Sequence, residues 1–296
     1  MRAFLTGSSG FVGHWLVAHL EEMGDEVSVL GEQTDLLDRV AVRAELHAAA
    51  PEAIYHLAAL THVGRSWEDP ADTMRVNVLG TLELLEAARA EEVAPRVLLV
   101  SSAEVYGAGE GLGLDEEAPL RPLSPYAASK VSAEFLGLQA YLGRGLQVVR
   151  ARPFNHVGPG QSDAFVVAAL AKRVVEAERA GGGEVAVGNL GAARDFTDVR
   201  DVVRAYRLLV EHGEAGAVYN VCSGEPRTIA SLLEGLVARA AVQVTPVVEP
   251  ALFRPIDIPV LTGSAKRLES LTGWRPEISL EQTLSDVLEY WRRQPS

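Results

Sequence analysis

The sequence predicts an α/β protein built on a doubly wound parallel sheet, followed by a smaller α/β region. Segments typical of buried strands alternate with helical segments at a period of about 30 residues, as in parallel βαβ units. A glycine-rich turn separates the first strand from the first helix, and a later strand is apolar throughout. We expect the sheet domain to span residues 1–154 and the second region 155–296, with segments near 190–222 returning to the sheet.

The composition argues against several classes of partner. Among 296 residues, 27 are Lys or Arg and 40 are Asp or Glu, which gives a net charge of −13 with histidine neutral. This acidic balance disfavours a nucleic acid or an anionic membrane as the partner. No apolar run approaches the roughly 20 residues of a membrane span, and the chain begins in a strand rather than a leader. Cys222 is the only cysteine, so we expect no disulfide, no metal site and a cytoplasmic protein.

The turn after the first strand has the spacing of a dinucleotide-binding loop. Gly7 permits a tight turn, Gly10 lets the backbone approach a pyrophosphate, and Gly13 lets helix and strand pack closely. The N-terminus of the following helix supplies free N–H groups for that phosphate. A glycine-rich loop without a ligand is the alternative interpretation. The expected coenzyme-binding residues are Gly7, Gly10, Phe11, Val12 and Gly13.

The second strand ends in an acidic segment. A ribose-binding acid is expected about 20 residues after the glycines, and Glu32 stands there. No Lys or Arg occurs between Gly13 and Arg39, so this segment offers no cation for the 2′-phosphate of NADP. The sequence therefore favours NAD over NADP, with Asp35 and Leu36 as further contacts and an adenine amine as the group that Asp35 would bond.

The third strand, residues 53–59, ends in small residues. Such residues are needed where a coenzyme lies across the backbone at the carboxyl edge of the sheet. His56 in this strand has no second metal ligand at useful spacing, so we expect it to be a packed strand residue. The coenzyme contacts expected here are Leu57, Ala58 and Ala59.

A tyrosine and a lysine stand four residues apart at the start of a helical segment. Pro125 suits the first helical turn, and Tyr126 and Lys130 then lie one turn apart on the same face. A phenol with a pKa near 10 is a poor proton donor at neutral pH, and a nearby ammonium lowers that pKa. An ordinary helix pair is the alternative. The glycine turn, and a strand over 96–102 that brings Ser102 to the carboxyl edge, favour the catalytic interpretation.

These motifs jointly resemble the extended short-chain dehydrogenase/reductase family, whose members are nucleotide-sugar epimerases, dehydratases and reductases. The likeness covers nearly the whole chain and implies a dinucleotide-binding Rossmann domain and a homodimer. Within the family, the late motifs are most similar to reductases of GDP-4-keto-6-deoxy-mannose, and they are also similar to GDP-mannose 4,6-dehydratases. The matching parts are the glycine turn, Tyr126, Lys130 and the segments 101–107, 152–161, 193–201, 218–224 and 253–255.

The resemblance implies catalytic roles for four residues. Tyr126 would give a proton to the alkoxide that develops on the sugar ketone, and Lys130 would tune it and bond the nicotinamide ribose. Ser102 would hydrogen-bond the ketone oxygen and stabilise its charge. Glu104 stands where sugar 4,6-dehydratases carry the base for water elimination, although Ala103 replaces the acid of the dTDP-glucose type.

The implied reaction is NAD(P)H-dependent reduction of the 4-keto group of GDP-4-keto-6-deoxy-D-mannose to GDP-D-rhamnose. Two alternatives stay open from the sequence. The shared scaffold and Glu104 allow a GDP-mannose 4,6-dehydratase or a nucleotide-sugar 4-epimerase, which recycles its coenzyme. A non-catalytic nucleotide-binding protein on the same fold is the second alternative, because fold does not determine function.

The nucleotide-diphosphate sugar is expected to bind mainly in the second half of the chain. Asn155, Arg194 and Arg254 match the family motifs, and the planar fork of arginine bonds two phosphate oxygens at once. Lys172, on the helical segment 165–179, is a weaker candidate for the same diphosphate. Each arginine alone would more often form a surface ion pair, and neighbouring aspartates make that alternative real.

Overall fold

The computed structural model describes residues 1–109, 113–253 and 258–295 of the chain. Within them, strands and helices alternate through most of the first half. The strands are β1 (Arg2–Thr6), β2 (Glu26–Val29), β3 (Ala53–His56), β4 (Arg96–Val100), β5 (Val148–Pro153), β6 (Asn155–Val157), β7 (Gly183–Val187), β8 (Ala193–Asp198), β9 (Val218–Val221), β10 (Pro226–Thr228), β11 (Val244–Val248) and β12 (Val260–Leu261). The α-helices are α1 (Phe11–Glu22), α2 (Arg39–Ala49), α3 (Val63–Glu68), α4 (Pro70–Met74), α5 (Gly80–Arg89), α6 (Pro125–Arg144), α7 (Val166–Ala180), α8 (Val199–His212), α9 (Ile229–Val237), α10 (Lys266–Thr272) and α11 (Leu280–Arg293).

The central sheet has six strands in the order β2-β1-β3-β4-β5-β9, and every neighbouring pair is parallel. Its inner strands β1, β3 and β4 are mainly apolar on both sides because helices cover both faces. Leu5 lies in the buried cluster that includes α1 and α8, whereas its neighbour Phe4 lies in the cluster that includes α2, α5 and α6. The predicted doubly wound sheet is confirmed.

The sheet has its topological switch point at β1. The chain runs from β1 to β2 on one side and then to β3 on the other, so Leu5 pairs with both Val29 and Tyr55. At such a point the two connections leave in opposite directions, and a crevice opens at the carboxyl ends of the strands. The glycine turn therefore stands at the position where doubly wound sheets bind their ligands.

A smaller four-stranded sheet, a two-stranded sheet and their helices make up the second part of the molecule. β10, β8 and β12 pair in that order, β6 also pairs with β8, and β7 pairs with β11. Helices α7, α9 and α11 enclose a separate apolar core with these strands. Of the segments expected to return to the central sheet, β9 does so, whereas β8 belongs to the smaller sheet. All six residues of β8 are buried, so it is the central strand of that sheet.

The helical segment that contains Asn77 is divided into three parts. α4 leads into a π-helical turn over Arg75–Leu79, which continues into α5. The amide of Asn77 bridges the loop after β3 to α6, because it accepts from the N–H of Leu60 at 2.7 Å and donates to Ser129 Oγ at 2.9 Å. Single π-helical turns inside helices are frequent at functional sites, and this one lies against the helix that carries Tyr126.

No helix in the described part of the chain is both long enough and apolar enough to cross a membrane.

Candidate active site

The glycine turn is packed so closely that side chains are excluded from two of its positions. Gly7 has a φ of +77°, and a Cβ on it would lie 2.7 Å from the backbone nitrogen of Ala58. A Cβ on Gly13 would lie 2.1 Å from the carbonyl oxygen of Gly7. Helix α1 and the end of β3 therefore both touch the turn directly, which requires glycine at these two positions.

The N-terminus of α1 has the free donors of an anion site. Gly10 is its N-cap and has no side chain to bond the first N–H groups, which belong to Phe11, Val12 and Gly13. A helix N-terminus with unbonded N–H groups attracts phosphate through those donors and the helix dipole. The closed turn and the open helix end fit the pyrophosphate of a dinucleotide, as the sequence predicts.

The turn after β2 carries acidic side chains. It is closed by a bond from Thr34 N to Gly31 O, and Glu45 of α2 accepts from Gly31 N at 2.8 Å and from the Thr34 hydroxyl. Glu32 is exposed on this turn. Asp35 accepts from Leu37 N at 3.0 Å, so part of its bonding capacity serves the local backbone.

The predicted coenzyme contact Leu36 is a buried residue of the α2, α5 and α6 face. It is 8% exposed. A Cβ added to Gly80 would lie 2.6 Å from Leu36 Cδ2, so the side chain packs on the start of α5. Only the backbone of Leu36 is left for a coenzyme.

The residues after β3 pass directly over the end of β1. Leu57 N donates to Thr6 O at 3.2 Å, and Ala58 N donates to Thr6 Oγ1 at 3.3 Å. The small residues Ala58 and Ala59 leave the backbone accessible next to Gly7, where the sequence analysis places the coenzyme. The coenzyme contacts expected here lie together with the glycine turn.

His56 is a packed strand residue. Its Nδ1 lies 2.7 Å from Thr6 Oγ1 and its Nε2 lies 2.9 Å from Thr81 Oγ1. Burial, and secondarily the charge of Lys130, lower its pKa to about 3. Among the described residues, no three His, Cys, Asp or Glu side chains converge as a metal site would require.

The predicted catalytic residues Ser102, Tyr126 and Lys130 come together at the carboxyl end of β4. Ser124 caps α6 by accepting from Ala127 N at 3.1 Å, and Pro125 occupies the first turn. Tyr126 and Lys130 are 7% and 6% exposed. The Tyr126 hydroxyl lies close enough to the Ser102 side chain, which follows β4, for Ser102 to act on the pKa of the phenol.

The pKa of Tyr126 corrects one expectation from the sequence. We expected Lys130 to lower it, but burial raises the pKa of Tyr126 to about 12, the Ser102 hydrogen bond opposes that rise, and Glu104 adds to it. Burial also lowers the pKa of Lys130 to about 8, and its Nζ donates to Val100 O at 2.9 Å. The ammonium lies 6.0 Å from the Tyr126 ring centroid. Desolvation, which the sequence does not display, has the largest effect on the pKa of this phenol.

Glu104 lies on the same short turn as Ser102. The 3₁₀ turn Ala103–Tyr106 is capped by Ser102, whose Oγ accepts from Glu104 N at 3.2 Å. The Glu104 carboxylate is partly buried and close enough to Tyr126 to raise the pKa of the phenol. The structure therefore brings together all four residues that the sequence analysis named as catalytic.

Of the predicted substrate contacts, Asn155 and Arg194 lie on the paired strands β6 and β8. Asn155 pairs with Phe196, two residues from Arg194. The Arg194 guanidinium is buried, and its Nη1 donates to Ala193 O at 2.9 Å and to Ile258 O at 2.5 Å. Ile258 is the first described residue after the segment that contains Arg254, and Arg254 itself lies outside the described residues.

Lys172 contacts an acidic side chain and an aromatic ring of the protein itself. It lies on α7, where its Nζ is 2.7 Å from Asp163 Oδ2 and 5.6 Å from the Trp291 ring centroid. The bond and charge of Asp163 raise the pKa of Lys172. Both side chains of the pair are substantially exposed, at 40% and 46%. Lys172 therefore forms a surface ion pair, the alternative that the sequence leaves open for the arginines.

One contact between the glycine turn and the 152–161 segment is not evident from the sequence. The rings of Phe11 and His156 are stacked, with centroids 6.1 Å apart and an angle of 12° between their planes. Burial lowers the pKa of His156, so its imidazole is neutral at pH 7. Spacing in the sequence does not reveal this contact, because the two residues are 145 positions apart, His156 on β6 and Phe11 at the start of α1.

Comparisons with known proteins agree on one family. A family model described as GDP-mannose 4,6 dehydratase matches residues 28–287. The GDP-6-deoxy-D-mannose reductase of Pseudomonas aeruginosa is 42% identical over 98% of this chain and 97% of its own length. The structure of RMD from Pseudomonas aeruginosa complexed with NADPH superposes with a TM-score of 0.92, 39% identity and 99% of each chain covered. The UDP-glucose 4-epimerase of Thermotoga maritima with UDP-glucose gives a TM-score of 0.91 at 28% identity, again with 99% of each chain covered.

The glycine turn at the switch point and the Ser-Tyr-Lys set beside it define an enzyme of the extended short-chain dehydrogenase/reductase class. The resemblance found in the sequence is confirmed. This chain belongs to the GDP-mannose 4,6-dehydratase family.

Proposed function

We propose that this protein is an NAD(P)H-dependent reductase that converts the 4-keto group of GDP-4-keto-6-deoxy-D-mannose to a hydroxyl, giving GDP-D-rhamnose. The observation that carries the proposal is the 42% identity, over nearly the whole of both chains, to a GDP-6-deoxy-D-mannose reductase. The juxtaposition of Ser102, Tyr126 and Lys130 supports it, because a ketone reduction needs a proton donor and a group that stabilises the developing alkoxide.

The chain's own groups have the protonation states that a reduction needs. The coenzyme would be held by the glycine turn and the N-terminus of α1, and it supplies the hydride when bound. Tyr126 is protonated at neutral pH because burial raises its pKa to about 12, so the phenol is present as a donor. Ser102 would hold the carbonyl oxygen next to that phenol and stabilise the charge that develops on it. Lys130, with a pKa lowered to about 8, is cationic at pH 7.

The direct test measures oxidation of the reduced coenzyme. Purified protein is mixed with GDP-4-keto-6-deoxy-mannose and either reduced coenzyme, and absorbance at the nicotinamide band is recorded. We expect stoichiometric loss of NAD(P)H and a product identified as GDP-D-rhamnose by NMR of the sugar ring. Absence of coenzyme consumption with every GDP-linked keto-sugar would contradict the proposal.

A 4,6-dehydratase is the second candidate, and Glu104 is the observation in its favour. Its charge is close enough to raise the pKa of Tyr126, and the sequence resemblance implies that a base for water elimination stands at this position. Such an enzyme regenerates its coenzyme in each cycle. Protein that purifies with stoichiometric coenzyme and converts GDP-mannose without added NAD(P)H would favour this reading over the reductase.

We propose that the coenzyme is NADH rather than NADPH, although a relative's structure contains NADPH. The turn after β2 presents Glu32, and Glu45 holds its backbone. Arg39, the first basic residue after the glycine turn, is paired with Glu83, whose Oε1 lies 3.0 Å from its Nη2. A 2′-phosphate would therefore meet carboxylates at this turn, whereas a ribose hydroxyl can donate to one.

Replacing Glu32 tests this coenzyme preference. We expect Glu32→Ala to lower kcat/KM for NADH by about 10-fold, the value of one hydrogen bond to a charged group, and to leave or raise the value for NADPH. Glu21→Ala, at an exposed acid on α1, is the matched control and should change neither. A wild-type enzyme that prefers NADPH, with no response to Glu32→Ala, would show the assignment to be wrong.

We also propose that the protein is a homodimer that pairs through α6 and the adjacent π-helical turn. Large apolar side chains are exposed on this face: Leu79 at 49%, Phe135 at 53% and Leu142 at 73%. Phe135 and Leu142 are seven residues apart on α6 and so share one side of the helix. An exposed apolar patch of this kind fits an interface, and the sequence resemblance implies that the partner is a second copy.

Negative charges introduced on the exposed apolar face of α6 test the proposed dimer. We expect Phe135→Glu combined with Leu142→Glu to shift the protein from dimer to monomer in sedimentation experiments, because the interface would bury unpaired carboxylates. Leu271→Glu, at an exposed leucine of α10, is the control and should leave a dimer. A wild-type protein that sediments as a monomer at micromolar concentration would refute the proposal.

The proposed partner is thus a nucleotide-diphosphate sugar together with a second copy of the chain. The net charge of −13 continues to disfavour a nucleic acid. We also propose a cytoplasmic location, the default for a chain whose one cysteine cannot form an internal disulfide.

A further inference from the structure

Glu134 is a buried charge that the chemistry above does not use. It lies on α6, four residues after Lys130 and eight after Tyr126, and its side chain is 0% exposed. Residues at this spacing lie on the same side of a helix. A carboxylate buried to this degree is costly unless it is paired and hydrogen-bonded, so its partners need to be identified.

Its partners are two arginines of β5. Arg152 Nε donates to Glu134 Oε1 at 3.2 Å and to Oε2 at 3.0 Å, and Arg152 Nη2 donates to Oε1. Arg150 Nη1 reaches Oε1 at 3.4 Å. Burial alone would lower the pKa of Arg152, but the bonds and charge of Glu134 raise it. The pair is therefore ionic and ties α6 to the strand next to β4.

Arg152 extends this connection to the turn that carries Ser102. Its Nη1 donates to Tyr106 Oη at 2.8 Å, and the guanidinium lies 5.0 Å from the centroid of the Tyr106 ring. Tyr106 is the last residue of the 3₁₀ turn that Ser102 caps, and its hydroxyl donates to Asn220 Oδ1 at 2.7 Å. One guanidinium thus contacts both supports of the catalytic set, α6 and the 103–106 turn.

We propose that Glu134 is a positioning residue that acts through Arg152 and Tyr106 to hold the Tyr126 phenol against Ser102. Buried ion pairs contribute little net stability compared with well-packed apolar residues, and their best-attested use is to specify one arrangement. Here the arrangement specified is the register of α6 along β5 relative to the 103–106 turn. A small displacement of α6 would separate the phenol from the carbonyl oxygen, and such displacements are expensive in turnover.

The test compares turnover with binding. In Glu134→Gln the shape of the side chain is kept and its charge is removed. We expect kcat to fall by between about 10-fold and 10²-fold, the range for a misplaced catalytic group, while KM for the sugar and the dissociation constant of the coenzyme stay unchanged. Glu86→Gln, which removes the carboxylate of the more exposed Arg89 pair on α5, is the matched control and should keep full turnover.

A second variant separates positioning from a general loss of structure. Tyr106→Phe leaves the Glu134–Arg152 pair in place and removes the hydroxyl that accepts from Arg152 and donates to Asn220, so we expect a smaller loss of kcat in a folded enzyme. Because both residues act through Arg152, the double variant should lose less than the product of the two single losses. If Glu134→Gln does not fold, the loss of kcat in Tyr106→Phe decides the question alone.

Several results would overturn the proposal. One is a folded Glu134→Gln enzyme with normal kcat. Another is that both variants have a lowered melting temperature but an unchanged kcat. A rise in KM with constant kcat would do the same. The proposal rests on the reductase function, but the two fail differently: a wrong substrate leaves the wild type inactive, whereas a wrong positioning role leaves the variants as active as the wild type.

Discussion

We expect Tyr126→Phe to lower kcat by about 10²-fold to 10⁴-fold, the range for removal of a general acid. The phenol is buried next to Ser102 and protonated at neutral pH, since burial raises its pKa to about 12. The substitution removes only the hydroxyl, so the ring keeps its packing at the start of α6. Without it, the alkoxide formed from the ketone has no positioned proton donor. The loss is measured as kcat from NAD(P)H oxidation with saturating keto-sugar.

A matched substitution on the same helix is the control for this prediction. Tyr141 lies near the end of α6, and Tyr141→Phe should retain wild-type kcat. Coenzyme binding, measured by fluorescence titration, should be unchanged in Tyr126→Phe, which separates the chemical step from assembly of the site. A Tyr126→Phe enzyme with normal turnover would remove the basis for the catalytic assignment.

We expect Lys130→Met to lower kcat/KM by about 10²-fold or more, as for loss of a catalytic group in a buried site. Lys130 Nζ contacts only Val100 O among the described hydrogen-bond partners, so its remaining donors are free for a coenzyme ribose. Methionine keeps most of the side-chain volume and removes the charge. Lys266→Met, at an exposed lysine of α10, is the control and should have no effect.

The pH dependence supplies the second readout for Lys130. Because burial lowers its pKa to about 8, the ammonium is present below that pH and is lost as the pH rises through it. Wild-type kcat/KM should therefore decrease as the pH rises through about 8, and this alkaline decrease should be absent from Lys130→Met. Tyr126 does not contribute to it, since the phenol deprotonates only near pH 12. An identical alkaline limb in both enzymes would assign the titration to another group.

The residues of the site could be found from the sequence where their relation is local in the chain. The glycine turn was recognised because spacing and strand–turn–helix context are short-range properties, and its tight packing accounts for Gly7 and Gly13. Tyr126 and Lys130 were recognised because a four-residue spacing on a helix places two side chains on one face. The central sheet followed from strand–helix alternation for the same reason.

Other parts of the site depend on contacts between residues that are distant in the chain. The Asn77 side chain, on the π-helical turn, donates a hydrogen bond to Ser129 of α6. The Arg152 guanidinium of β5 bonds both Glu134 of α6 and Tyr106 of the 103–106 turn. The assignment of β8 to the smaller sheet also depends on its partners β6, β10 and β12. No periodicity of the sequence encodes such pairings.

The order and spacing of residues predict the doubly wound sheet, the dinucleotide turn and the identity of the groups that can move a proton. The electrostatic state of these groups and the contacts that support them follow from the folded arrangement. Burial raises the pKa of Tyr126 and lowers that of Lys130, the reverse of what the charge of the lysine alone predicts for the phenol. The physical reason is that spacing along a helix follows from local geometry, whereas desolvation depends on every element that packs around the group.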